Sequence, residues 1–509
     1  MIAMKNQFIK LVGAVITCAV LSACTDTDVS TPPLNTGTPS AGDADFTTFV
    51  AIGDSLTAGY ADGTLYLLGQ KNSFPAIMAQ QFADVGGGAF VQPLVNDNLG
   101  GLIFDGAPIL DLGGNNRFDN RFVLNTETES PERLVGDSTN EVNGSGLNGT
   151  AFNNMGVPAA KSFHLVANGY GATAGVPLGL ANPFFTRFAL DANTSSMIGD
   201  AVAQAPSFYT LWIGANDVIW YGFSGGTGVD QTGGVVAPQD YALNDITDPA
   251  VFASVYTGLV GAFKAANADV KGVLINVPDV TTIPYFTTVP YNPVPLDQAT
   301  ADVLNAAYAP YNAGIAQALA ANPDEVAQRT ITFVEGQNAV VITDEDLTDL
   351  SGAGLPSMRQ ATANDLIPLE VAPIIGTLAD PLNPNSAWGV GVPLLDEHML
   401  IPSEIQTMRT AITAYNDAIK AAADADANLI MVDAKALFDE LTANGGIDYG
   451  TGSVNADFAT GGFFSLDGVH PTARGSAVLS NEIIDTINAG FNANVFHVYP
   501  GDYSTVFLK

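Results

Sequence analysis

The chain of 509 residues has two cysteines, four histidines, and 17 lysines and arginines against 52 acids. Both cysteines, Cys18 and Cys24, lie near the N-terminus, so no disulfide framework is expected and stability falls to an apolar core. Scarce base leaves a formal net charge of −35. Such a chain repels phosphate backbones and anionic headgroups, which excludes nucleic acid as an expected partner. Charged residues make up 14% of the chain, against about 25% in typical domains. The imbalance therefore comes from missing base more than from added acid.

Cofactor signatures are equally thin. There is no His-x-x-x-His pair and no cysteine cluster to hold zinc. Asp424-Ala425-Asp426-Ala427-Asn428 begins like a calcium loop. Leu429 stands where glycine is needed, however, and Lys435 where a bidentate glutamate belongs. No Gly-x-Gly-x-x-Gly and no phosphate loop occurs. Neither a cofactor nor a metal is expected.

What is present begins with Lys5 and Lys10 ahead of an apolar run, Leu11–Ala23. The run falls short of the about 20 residues that a transmembrane helix needs. A basic start, apolar middle and small residues before a cut site read as an export signal. Leu21-Ser22-Ala23-Cys24 resembles a bacterial lipoprotein box, with Cys24 as the acylated first residue of the mature chain. Residues 1–23 are then a signal peptide, and cleavage takes the net charge to −37. Membrane attachment would come from lipid on Cys24 rather than a basic patch. Localisation would be extracytoplasmic, with an outer membrane or cell surface favoured. Residues 24–45, rich in Thr, Ser, Pro and Gly, read as a flexible tether.

From residue 46 to 509 strand and helix patterns alternate, which predicts an α/β fold. Apolar runs at Phe49–Ile52, Phe208–Ile213, Val273–Val277 and Leu429–Val432 suit buried strands of a mostly parallel sheet, and Ala151–Met155 is a fifth candidate. Ser403 with Gln406 forms a capping-box pattern. Ile405, Met408, Ile412, Tyr415 and Ile419 follow at helical spacing. A last helix is expected from about Pro471 to Gly490. Two stretches interrupt the alternation, 86–149 and 278–402. They are expected to be insertions that reach the mouth of the site or carry structure of their own.

Gly53-Asp54-Ser55-Leu56 ends the first strand pattern. A serine there would face the crevice beyond the carboxyl ends of the strands, where open α/β sheets bind ligands. Ser55 or Asp54 would also suit a helix N-cap. Gly214-Ala215-Asn216-Asp217 ends another strand, and an asparagine amide there can serve a developing oxyanion or an Asx turn. Gly156, in Asn153-Asn154-Met155-Gly156-Val157-Pro158, could offer a backbone N–H. Asp467-Gly468-Val469-His470 supplies an imidazole and a carboxylate three residues apart, followed by Pro471.

In this order the four segments resemble the blocks of the SGNH (GDSL) hydrolase family. The resemblance spans about residues 46–491, apart from the two insertions. It implies a three-layer α/β/α, flavodoxin-like fold. It also implies Ser55 as nucleophile, His470 as general base then acid, and Asp467 as the group that orients the imidazole. The Ser55 N–H, the Gly156 N–H and the Asn216 side chain would form the oxyanion hole. Gly156 follows Ser55 by 101 residues, farther than the family's glycine block usually does, which fits an insertion at 86–149.

A competing nucleophile, Ser224 in Gly222-Phe223-Ser224-Gly225-Gly226, fits the Gly-x-Ser-x-Gly elbow but lacks a following helix start. The expected activity is ester hydrolysis through an acyl-enzyme on Ser55. Trp212, Trp220, Tyr221 and Phe223 are candidates for an acyl pocket. A polysaccharide O-acetyl esterase of the same fold stays open, as does a non-catalytic surface-binding lipoprotein. The expected partners are an acyl ester or acylated glycan and, through Cys24, a membrane. The sequence leaves the oligomeric state open.

Overall fold

The computed structural model describes residues 35–509 except Leu112 and Asn444. The expected signal peptide, Cys24 and the first part of the expected tether lie outside the described residues. Five strands form one all-parallel central sheet: β1 (Phe49–Gly53), β2 (Asn154–Gly156), β3 (Phe208–Trp212), β4 (Lys271–Ile275) and β5 (Leu429–Val432). Their order is β2-β1-β3-β4-β5. The chain leaves β1 towards one edge and returns to build the other, so the switch point lies between β1 and β3.

Side-chain alternation gives each face its own core. Val50, Ile52, Tyr209, Leu211 and Leu274 face one way; Phe49, Ala51, Phe208, Trp212, Val273 and Ile275 face the other. The named helices are α1 (Ser55–Ala58), α2 (Phe74–Ala83), α3 (Asn216–Phe223), α4 (Pro249–Ala266), α5 (Gln298–Ala318), α6 (Pro402–Asp424), α7 (Ala434–Thr442) and α8 (Ala473–Gly490). The first face is covered by α4 and α6 through Phe252, Tyr256, Phe263, Met408, Ile412 and Tyr415. The second is covered by α2, α7 and α8 through Phe74, Phe82, Leu437, Leu479 and Ile483. Helices on both faces of a parallel sheet make a three-layer α/β arrangement. By length and composition α4 could cross a membrane, yet its aromatic stripe packs against the sheet.

Several boundaries differ from the sequence expectation. The α6 helix starts at Pro402, whose missing N–H is an orphan at a first helical position anyway. Glu404, not Ser403 with Gln406, supplies the cap by accepting the Ile401 N–H at 2.8 Å. Thr472, not Pro471, opens α8: its Oγ1 accepts the Gly475 N–H at 3.0 Å. The tether expectation fails over 35–45. Ser40 N donates to Asn494 O at 3.2 Å, Asp43 N donates to Phe491 O at 2.7 Å, and Ala44 is buried. The polar composition of this segment is matched by backbone pairing with the C-terminal segment.

The first insertion, 86–149, is built around two short hairpins, at 103–108 and 122–133. The second, 278–402, has a separate buried core in which Ile315 of α5 packs with Phe333, Val340, Ile342, Ile367 and Leu394.

Candidate active site

Ser55 owes its place to Asp54. Leaving β1, Asp54 turns out of helical geometry (φ −100°, ψ −146°) and accepts the Leu56 N–H at 3.0 Å, capping α1. Ser55 is then the first residue of α1, where its own N–H has no intrahelical partner and finds no other among the described residues. Burial pushes the Asp54 carboxyl up to about 7, although the Leu56 N–H and His470 pull against it.

The structure brings Ser55, His470 and Asp467 together. Ser55 Oγ lies 2.8 Å from His470 Nε2, and His470 Nδ1 lies 2.9 Å from Asp467 Oδ2. Asp467 and His470 share one short loop. Ser465 N donates to His470 O at 2.8 Å and closes it. The N–H groups of Val469 and His470 both reach Asp467 Oδ1 at 2.9 Å. Burial works to raise the Asp467 pKa. The His470 imidazole and these N–H donors outweigh it and hold the carboxyl well below the usual range. The Tyr60 ring supports the imidazole, with ring centroids 4.8 Å apart. The other histidines are engaged elsewhere. His164 Nδ1 accepts the Lys161 N–H, His398 Nδ1 accepts the Leu395 N–H, and His497 pairs with Asp485.

Asn216 stands at the carboxyl end of β3, across the switch point from Ser55. Its Oδ1 accepts the Trp220 indole N–H at 3.0 Å, and its Nδ2 has no partner among the described residues. Gly156 requires a correction. Its N–H is already given to Asn154 Oδ1 at 3.0 Å. A Cβ at Gly156 would lie 2.3 Å from Ala58 N, so the glycine lets α1 pack closely on β2. Three residues on, Ala159 sits in the left-handed region at φ 64° and lines the same cavity as Ser55 and Asn216. Its N–H has no partner among the described residues. No glycine marks this position, so no residue type signals its left-handed backbone. The segments are tied together. Asp217, next to Asn216, accepts both the N–H and the hydroxyl of Ser162, at 2.8 and 2.7 Å.

These groups open into a cavity of about 1660 Å³, beyond the roughly 300–1,000 Å³ of most small-ligand sites. Both insertions supply wall. Phe118, Phe122 and Leu124 come from the first, and Tyr285, Val289 and Leu369 from the second. Trp220 and Phe223 line it as well. Trp212 does not, because it faces the opposite side of the sheet, where its Nε1 donates to Asn276 O. Tyr221 is buried beside the cavity without lining it. Ser224 touches the cavity but follows the last turn of α3 and donates to Tyr221 O at 3.0 Å. It therefore has neither the strand before it nor the helix after it that an elbow needs.

Among the described residues one carboxylate trio could gather a cation: Glu345, Asp396 and Glu404. Burial pushes Glu404 up to about 8, and burial with the neighbouring acids raises Glu345 and Asp396 as well. It belongs to the start of α6 rather than to the serine cavity.

Comparison with protein-family models, curated proteins and solved structures gives no match to this chain.

Proposed function

We propose that the chain is a serine ester hydrolase of the SGNH (GDSL) type. The observation that carries this reading is the Ser55–His470–Asp467 chain of contacts, opening beside three donors that have no partner among the described residues. In the proposed reaction His470 Nε2 takes the Ser55 proton as Oγ attacks the ester carbonyl. Asp467 fixes the tautomer and steadies the imidazolium. The oxyanion is met by the N–H groups of Ser55 and Ala159 and by Asn216 Nδ2. The imidazolium then protonates the leaving alcohol. Water, deprotonated by the same nitrogen, releases the acid.

The large, mainly apolar wall favours esters with long or bulky apolar groups over acetyl groups on a glycan. Lipid on Cys24 would hold the enzyme at a membrane. Labelling by a fluorophosphonate probe tests the reaction class. The native chain should label and Ser55→Ala should not. Absence of labelling in the native chain would favour a non-catalytic surface lipoprotein. Chromogenic esters of increasing acyl length, run beside acetylated polysaccharide, test the substrate class.

A further inference from the structure

Resting on the hydrolase reading, we infer that Ser465 and the Asp62–Gly63 turn form a positioning device for Asp467. Ala61 and Thr64 exchange both backbone hydrogen bonds, at 3.1 Å each. The two residues between them, Asp62 (φ 52°) and Gly63 (φ 75°), are both left-handed, the geometry of a type I′ turn. This conformation aims two successive N–H groups at the acid loop. Asp62 N donates to Ser465 Oγ at 2.9 Å, and Gly63 N donates to Asp467 Oδ2 at 2.9 Å. With its oxygen so occupied, the Ser465 hydroxyl gives its proton to Asp467 Oδ1 at 3.0 Å.

The Asp62 side chain completes the clasp. Its two oxygens accept the Leu466 N–H and the Tyr66 hydroxyl, each at 3.0 Å. Left-handed geometry is unfavourable for most non-glycine residues, and aspartate is among the few that adopt it readily. The turn follows directly on the nucleophile segment, since Tyr60 N donates to Ser55 O at 3.1 Å. One short stretch of chain therefore carries the nucleophile and fixes the distant acid. Ser465 and Asp62 are buried. The charged or titratable groups felt by or coupled to Asp467 are His470, Tyr60, Asp62, Tyr66 and Arg133.

Ser465 would act through Asp467 without touching substrate. Removing its proton leaves the carboxylate more basic, which favours the imidazolium and keeps the base protonated to higher pH. Ser465→Ala should therefore lower kcat about tenfold or more, leave KM nearly unchanged, and move the acid limb of kcat/KM to higher pH. Ser465→Thr keeps the hydroxyl and should recover both. If Ser465→Ala does not fold, Ser465→Cys carries the same comparison, because a thiol donates only weakly. An unchanged kcat and acid limb would overturn the inference. So would a lower kcat with an unmoved limb that threonine does not restore. The outcomes remain separable from failure of the hydrolase reading, in which the native chain neither turns over ester nor labels.

Discussion

Trp220 holds Asn216 by its oxygen. The indole N–H donates to Asn216 Oδ1 from one helical turn further along α3, at 3.0 Å. An amide bound this way is oriented with its NH₂ free for a ligand, and both residues line the cavity that contains Ser55. A helix start at the carboxyl end of β3 thus becomes a directed donor at the switch point of the sheet.

Asn216→Ala should reduce kcat about 100- to 1,000-fold, the usual loss for one oxyanion donor. Trp220→Phe keeps the aromatic wall but frees the amide to rotate. One neutral hydrogen bond is worth about 0.5–1.5 kcal/mol, so a fall in kcat of about 2- to 10-fold is expected. Steady-state kinetics on a chromogenic ester check both. An unchanged rate in Asn216→Ala would remove the residue from the mechanism.

Ser55 and Ser224 both border the cavity, but only Ser55 contacts an imidazole. Ser55→Ala should abolish turnover and fluorophosphonate labelling, whereas Ser224→Ala should leave both nearly intact. Mass spectrometry of the labelled peptide distinguishes the two sites directly. A label on Ser224 would transfer the nucleophile to the other segment.

Stability should depend on pH through Asp54. Burial raises this carboxyl from an ordinary 3.8 to about 7. Between those values the folded chain keeps a proton that the unfolded chain has released, so stability falls as pH rises through the window. The loss is on the order of 4 kcal/mol, at about 1.36 kcal/mol per pKa unit. Asp54→Asn cannot titrate and still offers an oxygen to the Leu56 N–H. It should be more stable than the native chain at pH 8 and similar near pH 4. Asp467 runs the other way. Its depressed pKa contributes stability above the ordinary carboxylate value, lost as pH falls below it. Urea unfolding at the two pH values checks the first claim. Equal midpoints for native and Asp54→Asn at pH 8 would show that Asp54 burial carries no such penalty.

The elements read most directly from sequence were those with a continuous physical pattern. The strands at Phe49 and Leu429 are unbroken apolar runs, that at Phe208 is interrupted only by Thr210, and the α6 stripe has strict helical spacing. β4 sits two residues earlier than its run suggested, because Lys271 pairs with Phe208 at the sheet's entry. The contacts among Ser55, Asp467 and His470 follow from residues that stand at strand ends or on one short loop. What stayed hidden depends on backbone geometry or on long-range packing. The second insertion's core is assembled from short segments around α5, none of which is long enough to announce itself. Ala159 carries a left-handed backbone without the glycine that normally signals one. Trp220 was partly legible, since its spacing of four from Asn216 places it on the same helical face.

Gly156 and Ala159 make opposite predictions that separate packing from chemistry. At Gly156 a new Cβ would meet backbone atoms, Ala58 N at 2.3 Å and Thr57 C at 2.7 Å, which cannot rotate away. Gly156→Ala should therefore force α1 and β2 apart and cost about 1–3 kcal/mol, lowering the melting temperature. Ala159→Gly keeps the N–H and relieves a left-handed alanine, worth about 1–2 kcal/mol, against about 0.5–1 kcal/mol of added chain entropy. Its melting temperature should hold or rise slightly, with kcat within about twofold of native, well under the loss of an oxyanion donor. Thermal unfolding and kcat measured together decide the matter. An unchanged melting temperature in Gly156→Ala would overturn the packing role, because the added Cβ would then have found room against Ala58.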